Sequence, residues 1–364
     1  MLHQLKRQAR FHANDGRPVD IAGIVTAVPP HVISQEDAAT HACERYPQFA
    51  RLSDLFANTG IARRHTVEPR EWYGEPRTWR ERTASFQRHA LPLLEDVARR
   101  SVAMAGLSWP DVDIVITNTI TGLAIPSLEG RLMNRLDFRA DVERLPIFGL
   151  GCGGGVAGLA RAERMASPAP GRSVLFLTID LCSLCMRIND ASLAMFVSSA
   201  LFADGAVGVV LTPRTEASAD APGLGRIVTT GEYFWRETEH IMGWDILDDG
   251  FGVVLSPELP SLMRNHLGEA VDHFLDRSGI ARADIDGFLI HPGGAKVLET
   301  AAEVLSLSHD DLSMSWDVLR DYGNMSSASA LFVLNQAIES GARGRHLLMA
   351  FGPGFSAYFV VVDL

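Results

Sequence analysis

Cys152 stands in the run Gly149-Leu150-Gly151-Cys152-Gly153-Gly154-Gly155, with glycines on both sides. Glycine accepts positive φ and lets backbone or ligand approach closely, freedoms that an ordinary buried cysteine does not need. The apolar spacing that follows predicts a helix over Gly154–Ala166, so the thiol sits near the positive end of a helix dipole and loses some affinity for its proton. That makes Cys152 a candidate nucleophile; the competing reading, a small residue in a tight strand-to-helix turn, is equally compatible with the local sequence. His291 ends the run Gly287-Phe288-Leu289-Ile290 and is followed at once by Pro292-Gly293-Gly294. A polar group at the C-terminal end of a buried strand is where α/β folds present catalytic side chains, although a lone histidine there is more often structural. Asn324, in Tyr322-Gly323-Asn324-Met325-Ser326, carries an uncharged amide that can donate to an oxyanion without titrating, or else simply cap a helix. Thiol, imidazole and amide together would suit acyl transfer through a covalent thioester.

These groups need a scaffold. Apolar, β-branched runs predict buried strands at 20–25, 112–117, 173–179, 206–211, 287–290, 346–351 and 358–362. Helical spacing occupies 91–105, 154–166, 261–278, 296–305 and 327–338 between them, an α/β pattern with mixed sheets. Residues 1–18 read as a polar arm ending in Asp15-Gly16-Arg17-Pro18, and 212–224, rich in Ala, Pro, Ser and Asp, reads as a connector. The expected organisation is an arm over 1–18, a half carrying the nucleophile over 19–218 and a half carrying His291 and Asn324 over 219–364. Each half places one reactive or polar residue ahead of an apolar helix, which suggests two similarly layered units.

The composition narrows the function classes. Lys+Arg 33 against Asp+Glu 44 gives a net charge of -11 with scattered basic residues, which argues against a nucleic-acid partner. No apolar run is long enough to span a bilayer, because 347–362 is broken by Gly352, Pro353 and Gly354. No apolar h-region follows Lys6, Arg7 and Arg10, so no secretory signal is expected and the cytoplasm is the expected compartment. Four cysteines are too few for a disulfide framework, and the lone Cys182-x-x-Cys185 lacks a second ligand pair, so no metal is expected. No strong Gly-x-Gly-x-x-Gly follows a first strand, which sets a dinucleotide enzyme aside.

In combination the motifs are specific. Cys152 before a glycine-rich helix, His291-Pro292-Gly293-Gly294, Asn324 in Tyr-Gly-Asn-Met-Ser-Ser-Ala, and Phe351-Gly352-Pro353-Gly354 occur in this order. From about residue 20 to its end the chain resembles the type III polyketide synthases, the chalcone-synthase-like family of the thiolase fold. The resemblance implies an α/β, thiolase-like fold of two similar layered α-β-α halves with mixed five-stranded sheets. It implies Cys152, His291 and Asn324 as catalytic residues, and substrate contacts at Gly293, Gly294 and Pro353. Ala200-Leu201-Phe202-Ala203-Asp204-Gly205 makes Phe202 the gatekeeping aromatic between a CoA tunnel and the reaction cavity. Thr121, Cys185 and Ser326 match cavity-lining positions, and Ile125, before Pro126, matches the residue that reaches into the partner's pocket in a homodimer.

Several positions depart from the family pattern. Asp180 stands where Glu is common, and Ala350 where the last glycine motif begins with Gly. Val253 replaces a second gatekeeping aromatic, which implies a wider slot, while Ala203 in place of Gly is expected to push a methyl into the cavity. Of the residues that hold CoA phosphates in plant members only Arg51 aligns; Asp54 and Asn58 occupy two others, leaving Arg63 and Arg64 either as compensating cations or as a solvated basic turn.

The implied reaction loads an acyl-CoA starter on Cys152, decarboxylates malonyl-CoA, condenses iteratively and cyclises the chain, with CoA thioesters as substrates and no cofactor. A thiolate–imidazolium pair of Cys152 and His291 is expected near neutral pH. Local phrases resemble bacterial members, so a fatty acyl starter giving an alkylpyrone or alkylresorcinol is the first expectation, delivered by CoA or by an acyl carrier protein. A malonyl-primed tetrahydroxynaphthalene- or phloroglucinol-type synthase is the alternative. Two rivals stand outside the family: a single-condensation enzyme like the initiating β-ketoacyl-ACP synthase, and a non-catalytic scaffold on the same fold.

Overall fold

The computed structural model describes residues 18–168, 171–214 and 223–364. The expected arm, apart from Pro18, and the expected boundary between 218 and 219 lie outside the described residues. The strands are β1 (Val19–Ala27), β2 (His31–Ser34), β3 (Arg63–Thr66), β4 (Ile114–Thr119), β5 (Glu143–Phe148), β6 (Val174–Leu181) and β7 (Asp204–Pro213), followed by β8 (Gly225–Phe234), β9 (Met242–Leu247), β10 (Gly250–Leu255), β11 (Gly287–Ile290), β12 (Arg345–Gly352) and β13 (Ser356–Asp363). Nine of them form one mixed sheet in the order β11-β12-β13-β8-β1-β7-β6-β4-β5. Pairing is parallel at β4–β5, β4–β6 and β11–β12 and antiparallel elsewhere.

The fold is thiolase-like with two layered halves, and the first half supplies five strands, β5-β4-β6-β7-β1. Among the described residues the second supplies β8-β13-β12-β11. The halves meet where Val19–Ile21 of β1 pairs with Gly225–Ile227 of β8. Each strand of the junction feeds two faces, because successive side chains point to opposite sides. Val207 and Val209 of β7 join Leu348, Ala350, Val360 and Val362 around the helices Gly154–Ala166 and Ser329–Glu339, which form a central layer between the halves. On the outer faces, Leu175, Leu177 and Val210 pack on the long helix Trp79–Met104, while Leu347, Met349 and Val361 pack on Leu259–Arg277 and Ala295–Leu305.

Every expected strand is present: 287–290 keeps its bounds, 112–117 moves two residues onward, and the others are lengthened by one to four residues. The helix expected over 91–105 begins twelve residues earlier, at Trp79, behind a Thr78/Glu81 capping box and with Pro92 inside it. The strand β5 went unread because it is an exposed edge strand containing Pro146, where alternation is weak.

Candidate active site

Cys152 lies in the single turn Gly151–Gly153 that runs into the helix Gly154–Ala166. The glycines serve two purposes. Gly149 and Gly151 have φ of +93° and +50°, and a Cβ on Gly155 would stand 2.0 Å from the Ser327 carbonyl oxygen. The nucleophile helix can therefore touch the turn Ser326–Ala328, which leads into the matching helix of the other half. The two pseudo-equivalent helix starts thus meet backbone to backbone, bringing residue 152 and residues 324–327 into one place.

Asn324 is held on both sides. Its N–H donates to the Leu201 carbonyl at 2.9 Å and its carbonyl accepts from Ala203 N–H at 2.8 Å, so its backbone is laced to the Phe202 segment. Its side-chain Oδ1 accepts from Ser326 N–H at 2.8 Å, and Nδ2 donates to the Gly293 carbonyl at 3.1 Å. One N–H of the amide is thereby spent and one remains for a ligand oxygen. The Asn324 contact also supports Ser326 at φ +52°, a left-handed conformation uncommon for serine.

His291 continues the β11 ladder, its N–H donating to the Met349 carbonyl at 2.8 Å. The ring is buried, and neither Nδ1 nor Nε2 has a hydrogen-bond partner. A Cβ on Gly293 would lie 3.5 Å from the His291 ring, so the glycine keeps the backbone close beside it. A buried imidazole with both nitrogens unpaired is costly unless function uses it.

Electrostatics at rest favour neutral groups. Burial pushes the Cys152 thiol up to about 12, against the Ser326 hydroxyl, and burial pulls the His291 imidazole down to about 3. Desolvation therefore outweighs the helix dipole at each group taken alone, and no hydrogen bond joins the ring to the sulfur. Beneath them Asp180 is fully buried; it accepts from Ile120 N–H at 2.8 Å, from Ser327 N–H at 3.0 Å and from the Ser327 hydroxyl at 2.5 Å. Thr119 and Thr121 hydroxyls complete its shell at 3.2 and 3.3 Å.

Cys152, Phe202, Val253, Ser326 and Pro353 line one cavity of about 390 Å³. Thr121 and Cys185 line a second, smaller one, where the Cys185 thiol faces the Thr121 carbonyl at 3.8 Å. Gly294 packs on Leu201 at the rear, where a Cβ would meet Leu201 Cδ2 at 3.2 Å. Two expectations are corrected. Ala203 is fully buried against Gly323 and does not line the Cys152 cavity, because alternation along the segment sends Phe202 inward and Ala203 away. Arg64 is neither a phosphate-facing cation nor a solvated turn: it is buried, donating to the Ser199 and Ala200 carbonyls at the end of the helix Leu193–Leu201. Arg63 is exposed and paired with Asp321 at 3.2 Å. Arg51 lies on an exposed turn away from the cavity, and Ile125, 95% exposed, faces outward.

The residue missed by sequence reading is Trp244. It stands in the cavity wall on β9, with its ring centroid 6.3 Å from Phe202 and 6.0 Å from Phe251. The indole refills the space that Val253 was expected to open. The signal was available in Leu247-Asp248-Asp249-Gly250, a hairpin turn between two alternating runs that would have paired Trp244 with Val253. Among the described residues, no group of three or more His, Cys, Asp or Glu is placed to hold a metal, and no helix is long and apolar enough to cross a membrane.

The sequence matches the chalcone and stilbene synthase N-terminal domain over residues 5–214 and the C-terminal domain over 226–363. It is 37% identical over 360 residues to a 1,3,6,8-tetrahydroxynaphthalene synthase of Streptomyces peucetius subsp. caesius, covering 96% of this chain and 94% of that one. To a putative chalcone synthase of Bacillus subtilis it is 34% identical over 354 residues, covering 93% and 96%. The solved 1,3,6,8-tetrahydroxynaphthalene synthase from Streptomyces coelicolor A3(2) matches with a TM-score of 0.88 at 28% identity, over 94% of this chain and 99% of that one. With a thiolase fold and both family domains spanning it nearly end to end, the chain belongs to the chalcone and stilbene synthases: it is a type III polyketide synthase, a decarboxylating condensing acyltransferase.

Proposed function

We propose that this polyketide synthase primes as well as extends with malonyl units, giving a compact aromatic product of the tetrahydroxynaphthalene or phloroglucinol type, with Cys152 as acyl carrier and His291 and Asn324 as its catalytic partners. The observation that carries the choice of starter is the wall built by Trp244 against Phe202, which narrows the cavity around Cys152. A cavity this narrow leaves little room for a long alkyl chain beside a folded polyketide. The relatives named as tetrahydroxynaphthalene synthases point the same way.

In this reading a bound thioester draws the Cys152 proton to His291. The two charges that form offset each other's desolvation in the pair. The sulfur attacks the thioester carbonyl, and CoA leaves as the thiol with the proton from His291. A malonyl-CoA then loses carbon dioxide, and the electron pair of the broken bond becomes an enolate whose oxygen accepts from His291 and from the free N–H of Asn324. Its carbon attacks the Cys152 thioester, the new carbon–carbon bond forms, and the cysteine sulfur is released for another round. Gly293 holds the Asn324 amide in the donor orientation throughout. Incubating purified protein with malonyl-CoA alone, followed by mass spectrometry of products, tests the proposal. The expected result is an aromatic pentaketide or triketide without any added acyl-CoA, and none from Cys152→Ala. Products formed only when a fatty acyl-CoA is supplied would overturn the malonyl-primed reading, and product from Cys152→Ala would overturn the role of the cysteine.

The exposed Ile125, with Leu123 beside it at 43% exposure, supports a homodimer in which this loop meets a second copy.

A further inference from the structure

A second cleft, larger than the one at Cys152, opens under the helix Gln35–Arg45. Its space reaches about 790 Å³ counted out through its open mouth, against about 390 Å³ counted the same way at Cys152. Its body is apolar: Ile33, Ala38 and Ala42 on one side face Met186 and Ile188 on the other. The two alanines leave room that larger side chains would fill.

The charge around this apolar body is one-sided. Arg45, Arg64 and Arg70 line the cleft, and among the described residues none of them has an acidic partner. Arg45 donates only to the Gly74 carbonyl, at 2.9 Å. Arg64 is 4% exposed; its terminal nitrogens reach Gln35 and backbone carbonyls, and its Nε is buried without a partner. The carbonyls at the end of the helix Leu193–Leu201 compensate part of its charge, but not the unpaired Nε. Arg70 and Arg45 stand close to His41, where they add to burial in weakening the hold of its imidazole on a proton. A fourth arginine, Arg187, is satisfied by Asp190 and Asp249 at 3.0 and 2.8 Å. Asp37 is the acidic residue in the lining, and it accepts from the Ser34 hydroxyl at 2.7 Å.

We propose that this cleft binds an anionic amphiphile, an apolar chain headed by a carboxylate, at a site separate from the Cys152 cavity. The chain lies against Ala38, Ala42 and Met186, and the carboxylate meets Arg45 and Arg70, whose planar forks suit bidentate pairing. Phe202 lines both this cleft and the Cys152 cavity, so the two ligands share one aromatic wall. The site stands whether or not malonyl-CoA is the starter, because no thioester or condensation is involved in filling it.

Titration calorimetry of the full-length protein with decanoate, and with decanol as the uncharged control, tests this. One saturable decanoate site is expected, with decanol at least tenfold weaker. Ala42→Phe, which fills the apolar body, is expected to abolish binding, and Arg70→Gln, at an exposed position that does not endanger folding, to weaken it at least fivefold. Absence of saturable decanoate binding overturns the proposal. So does equal affinity for decanol, or decanoate affinity within twofold of the parent protein in Arg70→Gln. Undiminished binding by folded Ala42→Phe would place the ligand elsewhere and overturn it as well; should that variant fail to fold, Arg45→Gln joins Arg70→Gln as the deciding pair.

Discussion

At the scale of single residues the site is a problem of desolvation. Burial favours Cys152 as a thiol and His291 as a neutral ring, so in the proposed mechanism the reactive sulfur is created by transfer of one proton to His291. If His291 is the acceptor, alkylation of Cys152 by iodoacetamide follows the thiolate fraction of the coupled pair, and removing the ring leaves only burial acting on the sulfur. His291→Ala is therefore expected to move the midpoint of the alkylation pH profile upward by about one unit or more, measured as inactivation rate against pH. An unchanged midpoint would show that another group takes the proton. Asn324 acts differently, as a donor that never titrates. Asn324→Ala is expected to lower malonyl-CoA decarboxylation by about 10²–10³-fold and to leave the alkylation midpoint near that of the parent protein. These three residues were legible in the sequence because each is marked by its neighbours: glycines around Cys152, a strand end and Pro-Gly-Gly around His291, and a glycine ahead of Asn324. The proton state of the pair was not legible, since a helix dipole can be read from spacing whereas the depth of burial cannot.

At the scale of elements, the hairpin β9–β10 decides the cavity. Its register pairs Val253 with Trp244, so the family position that lost an aromatic faces a neighbour that carries one. Sequence order kept these two residues nine apart, and the turn at Asp248–Asp249 brings them side by side, so Val253 alone does not set the width of the slot. Trp244→Ala removes a side chain worth about 150–250 Å² of buried surface. It is expected to let the enzyme accept hexanoyl- or octanoyl-CoA as starters at least tenfold better relative to malonyl-CoA, read from product ratios; unchanged ratios would mean that the indole does not bound the starter. The helix Gly154–Ala166 carries a second consequence of burial. Glu163 lies on it, and burial raises its carboxyl to about 7 from an ordinary 4.5. Between those values the folded chain binds more protons than the unfolded chain, so this group lowers stability progressively as pH rises from about 4.5 to about 7. Glu163→Gln, neutral throughout, is expected to gain on the parent protein by about 1–3 kcal/mol over that window, a melting difference of a few degrees that grows with pH. A difference that is constant or shrinks with pH would show that burial does not raise this carboxyl above its ordinary value.

At the scale of the whole molecule, two half-sheets joined at β1 and β8 clasp the two central helices, and the site lies where the starts of those helices meet. The alternating strands and the apolar helices made this layering readable; the short join between the halves was not, because β8 has mixed burial and follows the connector. The same geometry leaves the loop carrying Ile125 projecting outward, a few residues along from the β4 strand end that carries Thr119 and close in sequence to the cavity residues Ile120 and Thr121. An isoleucine left 95% exposed forgoes about 1.5–3 kcal/mol of burial, and a two-fold interface would recover that twice, about 3–6 kcal/mol per dimer. On that count Ile125→Asp is expected to weaken self-association by at least a hundredfold, turning a species of twice the 39.7 kDa chain mass into one of 39.7 kDa in light scattering at micromolar protein. If the partner's Ile125 also walls the cavity, turnover falls together with the dimer, and raising the protein concentration of the variant restores both in parallel. A parent protein that runs as a monomer, or a variant that stays dimeric, would detach this loop from assembly and leave each chain to close its own cavity.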